Sequence, residues 1–209
     1  MSSRSLVLLA FLAASPTFAD DAARLASCPP KGDAKIESVR ALNVLKRRMN
    51  APRAEEIDSK VTLAAMVAPG NDEYRFNENR GAVIEGYVAD VKVGGIESVN
   101  CHTRQPYYRD THIELTLDAK HPEDESEHVI VEVTPQVRAV MAKAGTDWST
   151  AALRMSILGR WIRVTGWLLY DAEHAPNAAN THEGKAHIWR ATVWEIHPIT
   201  AIEVLPGKP

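Results

Sequence analysis

Two stretches of this chain concentrate the side chains that could do chemistry. Residues 93–110 carry Glu97, Asn100, Cys101, His102, Arg104, Tyr107, Tyr108, Arg109 and Asp110, and residues 171–189 carry Asp171, Glu173, His174, Asn177, Asn180, His182, His187 and Trp189. Between them stand His112 and Glu114, two positions apart and therefore on one side of an extended strand. Two chemistries suit this set. Aromatic planes with Arg109, Arg190, Asn177 and Asn180 would stack on a polar ligand (an oligosaccharide, a nucleic acid or a peptide) and fix its polar groups. Alternatively, His112 and Glu114, joined by His174 or His182 and by Asp110 or Asp171, would hold a divalent ion whose bound water becomes the nucleophile of a hydrolase of the nuclease or phosphodiesterase type. The chain has no HExxH or CxxC spacing, so the binding module, which needs no cofactor, ranks first. Its expected ligand-binding residues are Tyr107, Tyr108, Arg109, Asp110, His112, Glu114, Asp171, His174, Trp189 and Arg190. The metal alternative rests on His112, Glu114, His174 and His182.

Other histidines are expected to be structural. His121 and His128 flank the acidic turn 122–127 and read as solvated, while His197, before Pro198, reads as a strand-end residue bonded to backbone.

The elements that must position these residues follow from hydrophobic periodicity. Strand-like runs cover 82–91, 111–117 and 128–134; a helical stretch covers 134–159; two more strand-like runs cover 161–170 and 190–197. That order is the order of a mainly β, five-stranded OB-like barrel with a helical segment between strands 3 and 4. In such a barrel ligands meet the strand 2–3 face and the loops joining strands 1–2 and 4–5, which are the two stretches named above. Parity puts Ile113, Leu115 and Leu117 inside with His112, Glu114 and Thr116 opposite. Val129, Val131 and Val133 likewise face inward and Glu132 outward, and Val164, Gly166 and Leu168 oppose Trp167. Mid-strand Gly86 and Gly166 are the expected bends of a small barrel. Thr134 and Ser149 are expected N-caps, and Val137, Val140, Met141, Leu153 and Ile157 the apolar plug of one barrel end. Residues 20–80 read as an N-terminal helical extension bracing the barrel domain, 81–209. Within it Ile36, Val39, Leu42, Leu45 and Met49 recur at helical spacing, and Lys46, Arg47 and Arg48 suit the helix C-terminus.

Residues 1–19, with Arg4 ahead of an apolar run and Thr17-Phe-Ala19 at its end, read as a secretory signal peptide. The expected location is the periplasm or the exterior, with no membrane span, because the apolar run is shorter than the roughly 18 residues a spanning helix requires. An oxidising compartment favours a bridge between the two cysteines, Cys28 and Cys101; a reactive or metal-binding Cys101 beside His102 is the alternative. A formal net charge of −3 makes a general polyanion partner, nucleic acid included, a disfavoured choice.

The segments GYVADVKVGGIE (86–97), Asn100-Cys101, RDTHIE (109–114), VTGWLLYDAEH (164–174) and WRATVWEIHP (189–198) resemble a group of exported bacterial OB-fold-like proteins with no assigned activity. The resemblance spans most of 81–204 and brings no substrate with it. A weaker similarity is to staphylococcal-type nucleases, through Asp110-Thr111; here that pair leads into strand 2 instead of following strand 3, and their activity is not carried over.

Overall fold

Five strands, β1 (Gly81–Val93), β2 (Thr111–Thr116), β3 (Val129–Val133), β4 (Trp161–Tyr170) and β5 (Trp194–Val204), close into a barrel of order β1-β2-β3-β5-β4. The structure, a computed structural model, describes residues 17–182, 184 and 187–209. The expected signal peptide therefore lies, apart from its last three residues, outside the described residues. Closure comes from β1, which pairs antiparallel with both β2 and β4, and from the parallel contact of β3 with β5. This is the OB-like barrel that the element order predicts.

Strand parity holds. Ile113, Leu115, Val129, Val131, Val133, Val164 and Leu168 all enter one core cluster. Between β3 and β4 run α4 (Pro135–Lys143) and α5 (Thr150–Ile157), each capped by the expected side chain, Thr134 to the Val137 N–H and Ser149 to the Ala152 N–H. Val137, Leu153 and Ile157 join the core, and Trp148 joins them where Val140 was expected; Val140 is 46% exposed.

The two glycines act differently. A Cβ on Gly166 would stand 2.3 Å from the Pro198 carbonyl oxygen, and the β4–β5 register shifts there, so this glycine does mark an irregular, close approach of backbones. In β1 the register shift falls between Val88 and Asp90 instead, and Gly86 makes room for the Leu63 side chain. The last strand also differs from expectation. Residues 190–193 are irregular because the Val193 N–H is taken by the Asp72 carboxylate, and β5 continues past Pro198 because Ile199 is a core residue.

The extension contributes α1 (Phe18–Ser27), α2 (Glu37–Lys46) and α3 (Leu63–Val67). It is tied down by a Cys28–Cys101 disulfide and by buried Asp72, which accepts hydrogen bonds from Thr192 and Val193 while its carbonyl accepts one from the Trp194 indole. Its central helix is not the apolar brace that periodicity suggests. Ile36 and Met49 are exposed, and α2 buries Asn43 and Lys46 instead. What α2 covers is polar. A sixth helix, α6 (Ala179–His182), lies in the β4–β5 connection. Among the described residues no helix is long and apolar enough to cross a membrane.

Candidate functional site

The barrel register sets Lys92 of β1, His112 of β2 and Glu132 of β3 side by side on the outer face. Alternation on β5 adds Glu195 and His197 to the same region. Covered by α2 and by the β4–β5 connection, this face is largely buried, and every residue of β2 and β3 falls among the buried residues. A polar, ionisable face cannot be dried without internal partners, since an unpaired buried charge costs several kcal/mol. Most of the partners are present. Glu114 accepts from His128 Nδ1 at 2.8 Å and pairs with Lys92. Lys46 reaches down from α2 to Asp171 at 2.8 Å and Glu97 at 3.1 Å. Arg190 pairs with Glu195, and His112 Nδ1 lies 3.3 Å from Glu132. At the centre, His197 is fully buried with Nδ1 3.2 Å from Glu195, and both Asp110 and Glu132 stand 3.7 Å from its ring nitrogens.

Charge and burial compete at each group. Burial pushes the Asp110 carboxyl up to about 7; the charges of Glu132 and Glu97 add to the rise, and His197 opposes it. Burial alone would lower His197, but Glu132, a hydrogen bond to Glu195 and Asp110 outweigh it and raise the imidazole to about 9. Burial would likewise raise Glu114, which hydrogen bonds from His128 and Lys92 hold at about 2. Burial disfavours the Lys46 ammonium, yet Glu97 and Asp171 keep it well above the usual lysine range. Carboxylates and imidazoles, with the Asp110 carboxyl lifted to about 7, are thus stacked beneath one surface.

That surface is a cleft of about 460 Å³. Lys92, Arg109, His112, Glu173, His174 and Trp189 line it, and the more deeply buried Glu132 and Lys46 lie at its floor. Trp189 is the hinge of the aromatic wall: its ring centroid is 5.7 Å from His112 and 5.2 Å from His174, and Arg190 lies over its face at 5.0 Å.

The expected ligand-binding residues divide into three groups. Arg109, His112, His174 and Trp189 line the cleft. Asp110, Glu114, Asp171 and Arg190 are buried beneath it and engaged with other protein groups. Tyr107 and Tyr108 lie elsewhere, packed on Phe18 of α1 with centroids 5.8 and 4.7 Å from its ring, because the extension needs an apolar seat. Asn180 is turned to Asp72, and Asn177 to the His187 carbonyl. The metal set His112, Glu114, His174 and His182 does not assemble among the described residues; the ligand-range group there is Asp110, Glu132 and His197. His128 and His197 correct their sequence reading, since both are buried against carboxylates: His128 on Glu114 of the neighbouring strand, His197 on Glu195 of its own strand with Asp110 and Glu132 close by. Lys46, Lys92, Glu132, Glu195 and His197 are the site residues that sequence reasoning missed. One signal was available: the outward positions of strands 2, 3 and 5 carry His112, Glu114, Glu132, Glu195 and His197, an imidazole-and-carboxylate face rather than a solvated one.

No protein-family model matches the chain, and no curated protein matches it. Among solved structures, Entamoeba histolytica asparaginyl-tRNA synthetase (AsnRS) is similar at 12% sequence identity and a TM-score of 0.31, over 69% of this chain and 24% of that chain. At that likeness the comparison carries no argument about function, and the chain is described by its own geometry: an OB-like barrel with a disulfide-tied extension and a cleft over its strand 2–3 face.

Proposed function

We propose that the protein is an exported binding module that takes a neutral polar ligand, of which a short oligosaccharide is the leading class, in the cleft over β2 and β3. The observation that carries this reading is the Trp189 ring, set into the cleft wall between His112 and His174. An aromatic plane beside hydrogen-bonding side chains is what a sugar or similar ring requires. The cleft lining holds three cations, Lys46, Lys92 and Arg109, against three carboxylates, Glu97, Glu132 and Glu173. Such a balance favours a neutral ligand over a polyanion such as nucleic acid. The cleft volume of about 460 Å³ fits a small ligand or one or two residues of a longer one. Export is supported by the N-terminal apolar run and by the disulfide.

Calorimetric titration with neutral cello-, malto- and chito-oligosaccharides, with an eight-residue oligothymidylate as the polyanion, tests the reading. Binding of a neutral sugar that weakens by roughly 10- to 100-fold in Trp189→Ala supports it, on the scale of about 1–3 kcal/mol that stacking of a base on an aromatic side chain is worth. Binding of the oligothymidylate alone, or sugar binding indifferent to Trp189→Ala and Arg109→Ala, would overturn it.

A further inference from the structure

The buried group at the floor of the cleft has one feature that hydrogen bonding within the protein does not explain. Asp110, Glu132 and His197 each have one polar atom held and the other without a partner. Asn100 donates to Asp110 Oδ1 at 3.1 Å, leaving Oδ2. His112 Nδ1 lies 3.3 Å from Glu132 Oε1, leaving Oε2. Glu195 holds His197 Nδ1 at 3.2 Å, leaving Nε2. The three residues are 1%, 5% and 0% exposed, and donor atoms drawn one from each lie within 4.8 Å of one another.

Charge points the same way. Glu195 has Arg190, Asp171 has Lys46, and Glu114 has Lys92. Among the described residues no lysine or arginine lies in ion-pair range of Asp110 or Glu132; what lies in that range is imidazole. Two buried carboxylates and an imidazole therefore converge without a permanent cation, with their orienting partners already in place.

We propose that Asp110, Glu132 and His197 are the protein ligands of a divalent cation held under the cleft. Asn100, His112 and Glu195 act as positioning residues that turn the free atoms inward, as carboxylates and amides behind metal ligands do. A set of one nitrogen and two oxygens suits Zn²⁺ or Mn²⁺ better than the all-oxygen preference of Ca²⁺ or Mg²⁺. Tetrahedral Zn²⁺ ligands at about 2.0–2.1 Å stand about 3.4 Å apart; Asp110 Oδ2 and His197 Nε2 are 3.7 Å apart, while Glu132 Oε2 stands 3.7 Å from His197 Nδ1 and must swing toward Nε2 to complete the set. Glu132 lines the cleft floor, so the ion has a way in and can meet solvent on that side. The inference does not depend on the identity of the cleft's organic ligand.

Purified protein stripped with EDTA and titrated calorimetrically with ZnCl₂ and, separately, MnCl₂ tests it. One ion per chain is expected from at least one of the two metals. Asp110→Asn and Glu132→Gln should each weaken uptake by more than about tenfold, while His121→Ala, altering an exposed histidine, should bind as the unaltered protein does. X-ray absorption of the zinc-loaded protein should show one imidazole. No uptake of either metal, unchanged affinity in both carboxamide variants, or two or more imidazoles on the ion would overturn the proposal. Should a variant fail to fold, the absorption spectrum of the unaltered protein still decides.

Discussion

Replacing Lys46 by methionine should cost about 3 kcal/mol of stability, and the reason is legible atom by atom. The ammonium is 3% exposed and bridges Asp171 and Glu97 at 2.8 and 3.1 Å. Removing one partner of a buried pair generally costs about 3–5 kcal/mol, because the remaining charge stays dry. Here the lower end applies. Asp171 keeps a donor in the Glu173 N–H, and Glu97, with 26% of its side chain exposed, can turn to water. Methionine fills much of the lysine volume, so the loss is electrostatic rather than a cavity. Urea unfolding followed by tryptophan fluorescence should show a midpoint lower by roughly 1–2 M, and heating a midpoint lower by roughly 6–12 °C. The double variant Lys46→Met with Asp171→Asn should be more stable than Lys46→Met alone, since it removes the orphaned charge. A loss below about 1 kcal/mol, or a double variant no better than the single one, would refute the claim that α2 is locked to the barrel through this pair.

Reducing the Cys28–Cys101 bridge, which spans 73 residues, should lower stability by about 4 kcal/mol on the chain-entropy estimate, read as a drop in urea midpoint with and without reductant. In metal-free protein stability should fall as pH rises. His197, raised to about 9, contributes about 3 kcal/mol that is whole below pH 6.5 and lost through pH 9, and Asp110, raised to about 7, adds to the fall between about pH 4 and 7. His197→Asn should flatten the pH 6.5–9 part of that profile; an equally steep profile in the variant would contradict the assignment. Glu114, lowered to about 2, contributes about 3 kcal/mol above pH 4.5 that is lost as pH falls toward 2, and Glu114→Gln should remove that acid limb. Gly166→Ala should destabilise by roughly 1–3 kcal/mol in the same unfolding assay, because its Cβ would meet the Pro198 carbonyl and backbone must move.

The barrel could be read from the chain because its evidence is local. Alternation through Ile113 and Leu115 or through Val129, Val131 and Val133 is visible within seven residues, and Thr134 and Ser149 announce their helices by themselves. The cleft wall was partly readable for the same reason, since strand order says which loops meet and the loops carry His174 and Trp189. The floor was not. Parity turns Glu132 outward, and nothing local says that α2 lies across that face. Lys46 reads as a helix-end cation until Asp171, 125 positions later by residue number, is known to lie beneath it. His197 next to Pro198 looks like the end of a strand, and only closure of β5 against β3 brings it to Glu132 and Asp110. Tyr107 and Tyr108 misled in the opposite sense: they are aromatic, in the right loop, and spent on seating Phe18 of α1.

Backbone and indole amide shifts mapped by NMR during titration with the tightest-binding neutral oligosaccharide decide whether the cleft over β2 and β3 is the binding site. The largest changes are expected at the Trp189 indole and at Lys92, Arg109, His112 and His174, which together line the cleft. Shifts confined to the apolar groove formed by Tyr107 and residues 149–154, with the Trp189 indole unmoved at saturation, would contradict it.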